Sequence, residues 1–155
     1  MQSAGIRERS ENSMAAHSKP VVVDLPLTQL VVVRAGSDNP EGIKAAWQQL
    51  EARLTSLRGR RFYGVCYEGG AREGYYAGLE PLNEQEVKGL GFESLTVDAG
   101  KFVRLSMKDW QANIAEIPQL VDMLRRDFVT DPARPTIEFY RSQTELHLLV
   151  PLRES

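Results

Sequence analysis

The stretch that decides the fold runs from residue 62 to residue 80 and reads FYGVCYEGGAREGYYAGLE. Its two ends, residues 62–67 and 74–80, are rich in aromatic and β-branched residues, and the glycines between them are typical of a turn. Pro81 follows and cannot continue the ladder of a central strand. The pattern therefore predicts two strands joined in a hairpin.

The region before this hairpin predicts two strands and a helix. Valine-rich runs at residues 21–25 and 27–35 are separated by Pro26 and indicate strands. Asn39 can cap a helix that Pro40 begins, because proline at the first helical position gives up no hydrogen bond. Apolar residues recur at helical spacing from residue 43 to residue 57, and Gly59 supplies a stop.

The region after the hairpin repeats this order. Residues 94–107 predict β-structure with a bend at 98–100, and residues 116–129 predict a helix with Pro118 in its first turn. Residues 136–140 and 145–152 predict a closing hairpin, while Gly89 and Gly91 favour a loop at 82–93. The chain is thus expected to be an α+β protein of duplicated strand-helix-strand-strand modules with a central ligand cleft.

Strand alternation sorts the side chains between two faces of the predicted sheet. Ala77 and Leu79 are expected to face the helices, which places Tyr76 on the opposite face. The same reasoning assigns Phe102 to the face opposite Val103 and Leu105. We expect this second face to form the cleft and to collect an acid and three aromatic residues, namely Glu138, Tyr76, Tyr140 and Phe102.

Composition excludes several function classes. The 19 basic and 21 acidic residues are scattered along the chain, so no basic stripe is available for binding nucleic acid. No apolar run approaches the length of a transmembrane helix. Cys66 is the one cysteine and the chain has 2 histidines, which excludes an internal disulfide and favours neither a metal site nor a cofactor. A cytoplasmic protein is expected.

The first 18 residues are polar and lack the apolar run of a signal peptide. Residues 1–18 are therefore predicted to be a disordered polar tail, and residues 19–155 a single domain.

Four stretches resemble the GyrI-like, or effector-binding, superfamily. Residues 62–68 are similar to the aromatic-glycine strand of that family, and residues 75–80 to its Tyr-x-x-Gly-hydrophobic strand. Residues 95–103 resemble its Ala-Gly-Lys-aromatic segment, with Phe102 where tyrosine is common. Residues 135–140, with 150–152, are similar to its closing hairpin. Residues 106–110 depart from the His-x-Gly-like turn that is frequent there.

The resemblance implies the duplicated fold and a central pocket for a small molecule. In the multidrug-binding regulators of the family a buried glutamate attracts lipophilic cations, and that role falls on Glu138 here. Some stand-alone members hydrolyse cyclopropane-bearing toxins with pocket glutamate and aromatic residues, and one inhibits DNA gyrase. The regulators also carry a helix-turn-helix, for which residues 1–20 are too short and polar.

Three hypotheses of function follow. The first is a binding module that sequesters or senses an aromatic small molecule, either cationic or neutral. The second is a hydrolase of a strained electrophile, with Glu138 as general acid or base and Tyr76 as proton donor or electrophilic support. The third is a protein partner such as gyrase, although no charge run marks a docking surface. The residues expected to bind the ligand are Glu138, Tyr76, Tyr140, Phe102, Tyr67 and Trp110.

Each candidate also has an ordinary structural interpretation. Glu138 could be a half-exposed strand residue paired with Arg141, since glutamate is almost never fully buried. Trp47 lies in the apolar stripe of the first predicted helix and is expected in the core. Trp110 is expected in a loop, where an exposed aromatic residue can act as a pocket lid. His147 is expected to be structural.

Overall fold

A computed structural model of the chain describes residues 16–154 and shows the α+β fold predicted from the sequence. Its eight strands form one sheet in which every pairing is antiparallel. The strands are β1 (Val21–Leu25), β2 (Thr28–Arg34), β3 (Phe62–Tyr67), β4 (Gly74–Leu79), β5 (Glu93–Val97), β6 (Gly100–Lys108), β7 (Thr136–Tyr140) and β8 (Glu145–Pro151). The helices are α1 (Pro40–Glu51), α2 (Glu84–Leu90) and α3 (Ile117–Asp127).

The predicted duplication is confirmed by the order of the strands. The modules are β2-α1-β3-β4 and β6-α3-β7-β8, and the sheet order is β1-β6-β8-β7-β3-β4-β2-β5. In each module the third strand therefore lies between the first and the second. The second strands, β3 and β7, pair with each other at the centre of the sheet, where the two modules meet.

The sheet curls into a half-barrel. Neighbouring strands lie about 4.8 Å apart, so a flat sheet in this order would separate β1 from β2 by roughly 29 Å. Residues 26 and 27 alone connect these strands, and three Cα–Cα steps reach about 11 Å at most. Residues 98 and 99 impose the same limit between β5 and β6. The two short connections therefore hold the edges of the sheet close together.

Three apolar cores result, two on the outer face and one inside the curl. On the outer face α1 and α2 cover β2 and β4, and α3 covers β6 and β8. The inner core has no helix. It consists of side chains from seven strands packed against one another, namely Leu30, Val32, Val65, Tyr76, Leu95, Val97, Phe102, Ile137 and Leu149. The inner face of the sheet is thus filled by its own residues.

The loop predicted at residues 82–93 is wrong, because α2 lies there. Asn83 caps this helix by accepting a hydrogen bond from the backbone N–H of Glu86 at 2.9 Å. Gly91 ends it in the left-handed conformation, with a φ of 70°. Gly89 lies inside the helix, where glycine costs up to about 1 kcal/mol but does not forbid helix.

Three boundaries differ from those predicted. Helix α1 ends at Glu51, well before Gly59. Two short 3-10 turns at residues 110–112 and 114–116 precede α3, which begins at Ile117. His17 and Ser18, placed in the predicted tail, lie against β6, where the backbone N–H of Ser18 donates to Ser106 at 2.8 Å. The remainder of that predicted tail, residues 1–15, lies outside the described residues.

Candidate functional site

Glu138 lies on the outer face of the sheet, at the seam between its two helix-covered cores. The register places Glu138 opposite Gly64 on β3 and Gly64 opposite Ala77 on β4, so the three residues share one face. The predicted association of Glu138 with Tyr76 is therefore wrong. Tyr76 does lie opposite Ala77, as strand alternation predicts, but that face is the inner core.

Two tyrosine hydroxyls hold the Glu138 carboxyl. Tyr75 donates to Oε1 of Glu138 at 2.8 Å, and Tyr140 donates to the same oxygen at 2.7 Å. The indole N–H of Trp47, on α1, donates in turn to the Tyr75 hydroxyl at 3.1 Å. Both hydroxyls donate to Oε1, so this network fixes one oxygen of Glu138. The other oxygen, Oε2, accepts no hydrogen bond within residues 16–154.

Aromatic rings from both modules surround the carboxyl. Trp47 contacts Tyr140 edge to face, with ring centroids 5.4 Å apart, and Trp110 also contacts Tyr140, with ring centroids 4.9 Å apart. Trp110 is partly buried, and its indole N–H reaches the carbonyl oxygen of Ser142 at 3.3 Å. Trp47 belongs to the core under α1, whereas Tyr140 and Trp110 belong to the core under α3. The site is thus built by both modules.

No positive charge compensates Glu138 within residues 16–154. In that range its carboxyl forms no ion pair, and its hydrogen bonds come from the two tyrosines alone. Burial raises the pKa of the Glu138 carboxyl, and the hydrogen bonds from Tyr140 and Tyr75 oppose that rise. Burial and the nearby carboxylate also hold the pKa of both tyrosines well above the ordinary value, so their hydroxyls keep their protons.

Gly64 makes room for this cluster. A Cβ atom at position 64 would collide with the Tyr75 hydroxyl and with Oε1 of Glu138. Ala77, on the next strand, is also small and is fully buried. At the positions of β3 and β4 that lie in register with Glu138 the side chains are therefore absent or small, which allows two hydroxyls and a carboxyl to meet there.

A surface pocket of about 390 Å³ adjoins this cluster. Tyr75 forms part of its wall, so the ring whose hydroxyl contacts Glu138 is shared between the pocket and the buried carboxyl. The rest of the lining comes from the start of α1, the end of β3 and the turn after it, namely Asp38, Ile43, Cys66, Tyr67, Glu68 and Glu73.

The structure brings together three of the six residues predicted to bind a ligand, namely Glu138, Tyr140 and Trp110. Tyr76 and Phe102 lie in the inner core, 2% and 0% exposed. The Tyr76 hydroxyl donates to the carbonyl oxygen of Arg72 at 2.9 Å, away from Glu138. Tyr67 packs against Tyr76 and also lines the surface pocket. The prediction that Tyr76 and Phe102 share the face of Glu138 is therefore wrong.

Two residues of the cluster, Tyr75 and Trp47, were not among the predicted site residues. The reason is the assumption that the whole helix-covered face is apolar core, which leaves no place for an acid there. The sequence does contain a signal against that assumption, because Gly64 and Ala77 are too small to fill the face between the helices. Trp47 packs against the core under α1, as expected, and its indole N–H also donates to the Tyr75 hydroxyl of the cluster.

Two further features are absent from residues 16–154. No group of three or more His, Cys, Asp or Glu side chains there has the geometry to hold a metal ion. No helix in that part of the chain is long and apolar enough to cross a membrane.

Glu138→Gln is expected to raise the melting temperature at pH 8, because it keeps the shape and removes an unpaired charge from a half-buried position. A carboxyl whose pKa is raised by folding stabilises the folded state only while it is protonated, and that stability is lost as the pH rises above its ordinary pKa of 4.5. The gain over wild type should therefore shrink towards pH 4.5. Glu93→Gln, at an exposed carboxyl on β5, should show no such gain. A lower melting temperature for Glu138→Gln at pH 8 would contradict the burial of a charged group.

Comparison with known proteins places the chain by its fold. No protein-family profile matches the sequence, and no curated protein matches it. Among solved structures, an integron cassette protein from the mobile metagenome of Vibrio cholerae is similar, with 18% identity and a TM-score of 0.58, covering 90% of this chain and 99% of that one. SAV2435 bound to tetraphenylphosphonium has 12% identity and a TM-score of 0.62, with coverage of 88% and 94%.

A third similar structure is a hydrolase from Listeria innocua. It has 12% identity and a TM-score of 0.51, and the match covers 94% of this chain and 97% of that one. At such low identities these similarities show a shared fold that accommodates ligands in one of its members, and they cover nearly the whole length of each protein.

Proposed function

We propose that this chain binds aromatic cations at Glu138, as a protein of the GyrI-like type acting in the cytoplasm. The observation that carries the proposal is the Glu138 carboxyl itself. It is held in place by two tyrosines, surrounded by aromatic rings and paired with no basic residue of the described chain.

A half-buried carboxylate without a positive partner is unfavourable, and a bound cation lowers that cost. Aromatic faces attract a cation by roughly 0.5–2 kcal/mol each, which favours a ligand whose charge lies near Tyr140 and the two tryptophans. The hydroxyl protons of Tyr75 and Tyr140 are already donated to Glu138, and the Trp47 N–H is donated to Tyr75. The cluster thus has no free donor for an anion, and this supports selectivity for cations.

Two independent lines support the same class of ligand. The resemblance of the sequence to the GyrI-like superfamily implies a cation-attracting glutamate at position 138. The structure of SAV2435, which shares the fold, has tetraphenylphosphonium bound, an aromatic cation. The proposal for this chain rests on the environment of its own Glu138 rather than on either likeness.

Tetraphenylphosphonium is the probe for the first test. Glu138→Gln should weaken its binding by about 1–3 kcal/mol, the scale of the Coulomb attraction between a carboxylate and a cation several ångströms away near a protein surface. Titration calorimetry at pH 8 measures the change, with Glu93→Gln as the control that removes an exposed carboxyl from β5. Because the probe is permanently charged, its affinity for wild type should also fall as the pH drops and Glu138 becomes protonated. Equal affinity of Glu138→Gln and wild type would rule the proposal out.

A second candidate function is hydrolysis of a strained electrophile, favoured by the contact of Tyr75 with Glu138. Glu138 would take a proton from water while the water oxygen attacks a ring carbon and a ring C–C bond breaks. The carbon that leaves would take a proton from Tyr75, which regains one from Glu138. Tyr75, rather than the predicted Tyr76, is the tyrosine placed for this step.

Mass spectrometry separates the two functions. Incubation of the wild-type protein with a cyclopropane-bearing alkylating compound should yield the water adduct if the chain is a hydrolase. In that case Tyr75→Phe should reduce turnover by on the order of 10²–10⁴ while tetraphenylphosphonium still binds. Under the binding function no adduct forms, and Tyr75→Phe weakens the probe by less than about tenfold because the ring remains.

A further inference from the structure

The surface pocket beside Tyr75 has a charge pattern that the binding of a single cation leaves unexplained. Three of its seven lining residues are acidic, and none is basic. Its apolar wall is formed by Ile43, Cys66 and Tyr75, which come from α1, β3 and β4. A concave site with an apolar wall and a few charged groups is the usual form of a small-molecule site.

Two of the three acids have no partner among the described residues. Glu68 is paired with Arg125 of α3 at 2.7 Å. Asp38 and Glu73 form no ion pair within residues 16–154. Arg34 is close to Glu73, but it donates to the backbone carbonyl of that residue and lies over the Tyr76 ring. The carboxylates of Asp38 and Glu73 therefore remain available to a ligand.

The pocket and the Glu138 site are neighbours along the sheet. Cys66 is opposite Tyr75, and Gly64, two residues earlier on the same face, is opposite Glu138. Two residues of a strand cover about 6.6 Å. The negative charges also converge between the two sites, since the carboxylates of Glu68, Glu138 and Asp38 add to burial in raising the pKa of the Cys66 thiol to about 11.

We propose that Asp38 and Glu73 are specificity-determining residues that make the Glu138 site select dications, with one charge at Glu138 and the second in the pocket beside Tyr75. The inference rests on the proposed function, because it adds a second contact to a ligand held first by Glu138. The preferred ligand is an aromatic cation that carries a second positive group on a short flexible chain, at roughly two residues' distance along a strand.

Ethidium and propidium are the matched probes. Both share one phenanthridinium ring system with a permanent charge, and propidium adds a quaternary ammonium on a three-carbon chain. Wild type should bind propidium about two- to fivefold more tightly than ethidium at 0.15 M salt, the scale expected for exposed charge pairs. The Asp38→Asn/Glu73→Gln double variant should bind the two dyes equally, because the second charge of propidium then meets no unpaired carboxylate in the pocket. Fluorescence titration measures all these affinities.

The control and the third variant separate this inference from the proposed function. Glu51→Gln/Glu93→Gln removes the same charge from exposed positions outside the pocket and should keep the preference for propidium. Glu138→Gln should weaken both dyes. If wild type shows no preference, or the double variant keeps it, the inference is overturned, while a weaker ethidium complex of Glu138→Gln still supports the proposed function. If Glu138→Gln leaves both dyes unaffected, or neither dye binds wild type, both fail.

Discussion

Tyr76→Ala is expected to destabilise the fold by about 3–5 kcal/mol, the usual cost of deleting a buried aromatic side chain. Tyr76 is 2% exposed and lies in the inner core with Val65 and Ile137. Its ring meets Tyr67 edge to face at 5.9 Å, and its hydroxyl donates to the carbonyl oxygen of Arg72. No helix covers this core, so its neighbours cannot move inward to fill the space without changing the curl of the sheet. Denaturant unfolding measures the loss.

Its neighbour Tyr75 provides the contrast. Tyr76→Phe should cost about 1 kcal/mol for the lost hydrogen bond and leave the affinity for tetraphenylphosphonium unchanged. Tyr75→Phe removes the hydroxyl that donates to Glu138 and should weaken the binding of tetraphenylphosphonium. Its effect on the inner core should be smaller. If Tyr76→Phe weakened the probe tenfold while Tyr75→Phe did not, the two faces of β4 would be assigned the wrong way round.

The fold was largely predictable because its signals are local. Val, Tyr and Phe runs bounded by glycine and proline mark the strands, and Asn39-Pro40 marks the start of α1. Repetition of one order of elements then predicts the duplication. Helix α2 was not predicted because it is 7 residues long and contains Gly89, so its apolar periodicity is too short to recognise. Its cap, Asn83, and its stop, Gly91, are the signals that could have found it.

The site was predictable only in part because it depends on register between distant strands. Alternation along β4 correctly separates Tyr75 from Tyr76, and alternation along β7 separates Glu138 from Ile137. Alternation does not say which face of β4 adjoins which face of β7. That link passes through Gly64 on β3, which pairs with both strands. A residue without a side chain leaves no hydrophobic pattern, so alternation alone could not show which face of β4 adjoins Glu138.

The position of Glu138 implies a conflict between stability and function. The carboxyl lies where the face of a sheet is ordinarily apolar, and its ionised form is unfavourable there until a cation arrives. The two tyrosines reduce this cost without removing it, since they supply hydrogen bonds and no positive charge. A partner such as arginine would stabilise the folded state further, but it would occupy the position that the proposed ligand needs.

Gly64→Ala is expected to be as damaging to the site as the loss of Glu138, although it adds a single methyl group. The new Cβ atom would collide with the Tyr75 hydroxyl and with Oε1 of Glu138, and the Tyr75 ring is 6% exposed with little space to retreat. Overpacking of this kind costs about 1–3 kcal/mol, and the displaced hydroxyl should also lose its bond to the carboxyl.

Gly89→Ala is the matched control for this substitution. The space around Gly89 is open, and alanine in α2 should stabilise the protein by up to about 1 kcal/mol. The same chemical change is thus expected to act with opposite signs at two positions of one chain, which denaturant unfolding can measure directly. Affinity for tetraphenylphosphonium should fall for Gly64→Ala alone. A Gly64→Ala protein of wild-type stability and affinity would mean that Tyr75 and Glu138 do not meet at Gly64, and the site would have to be placed elsewhere on the sheet.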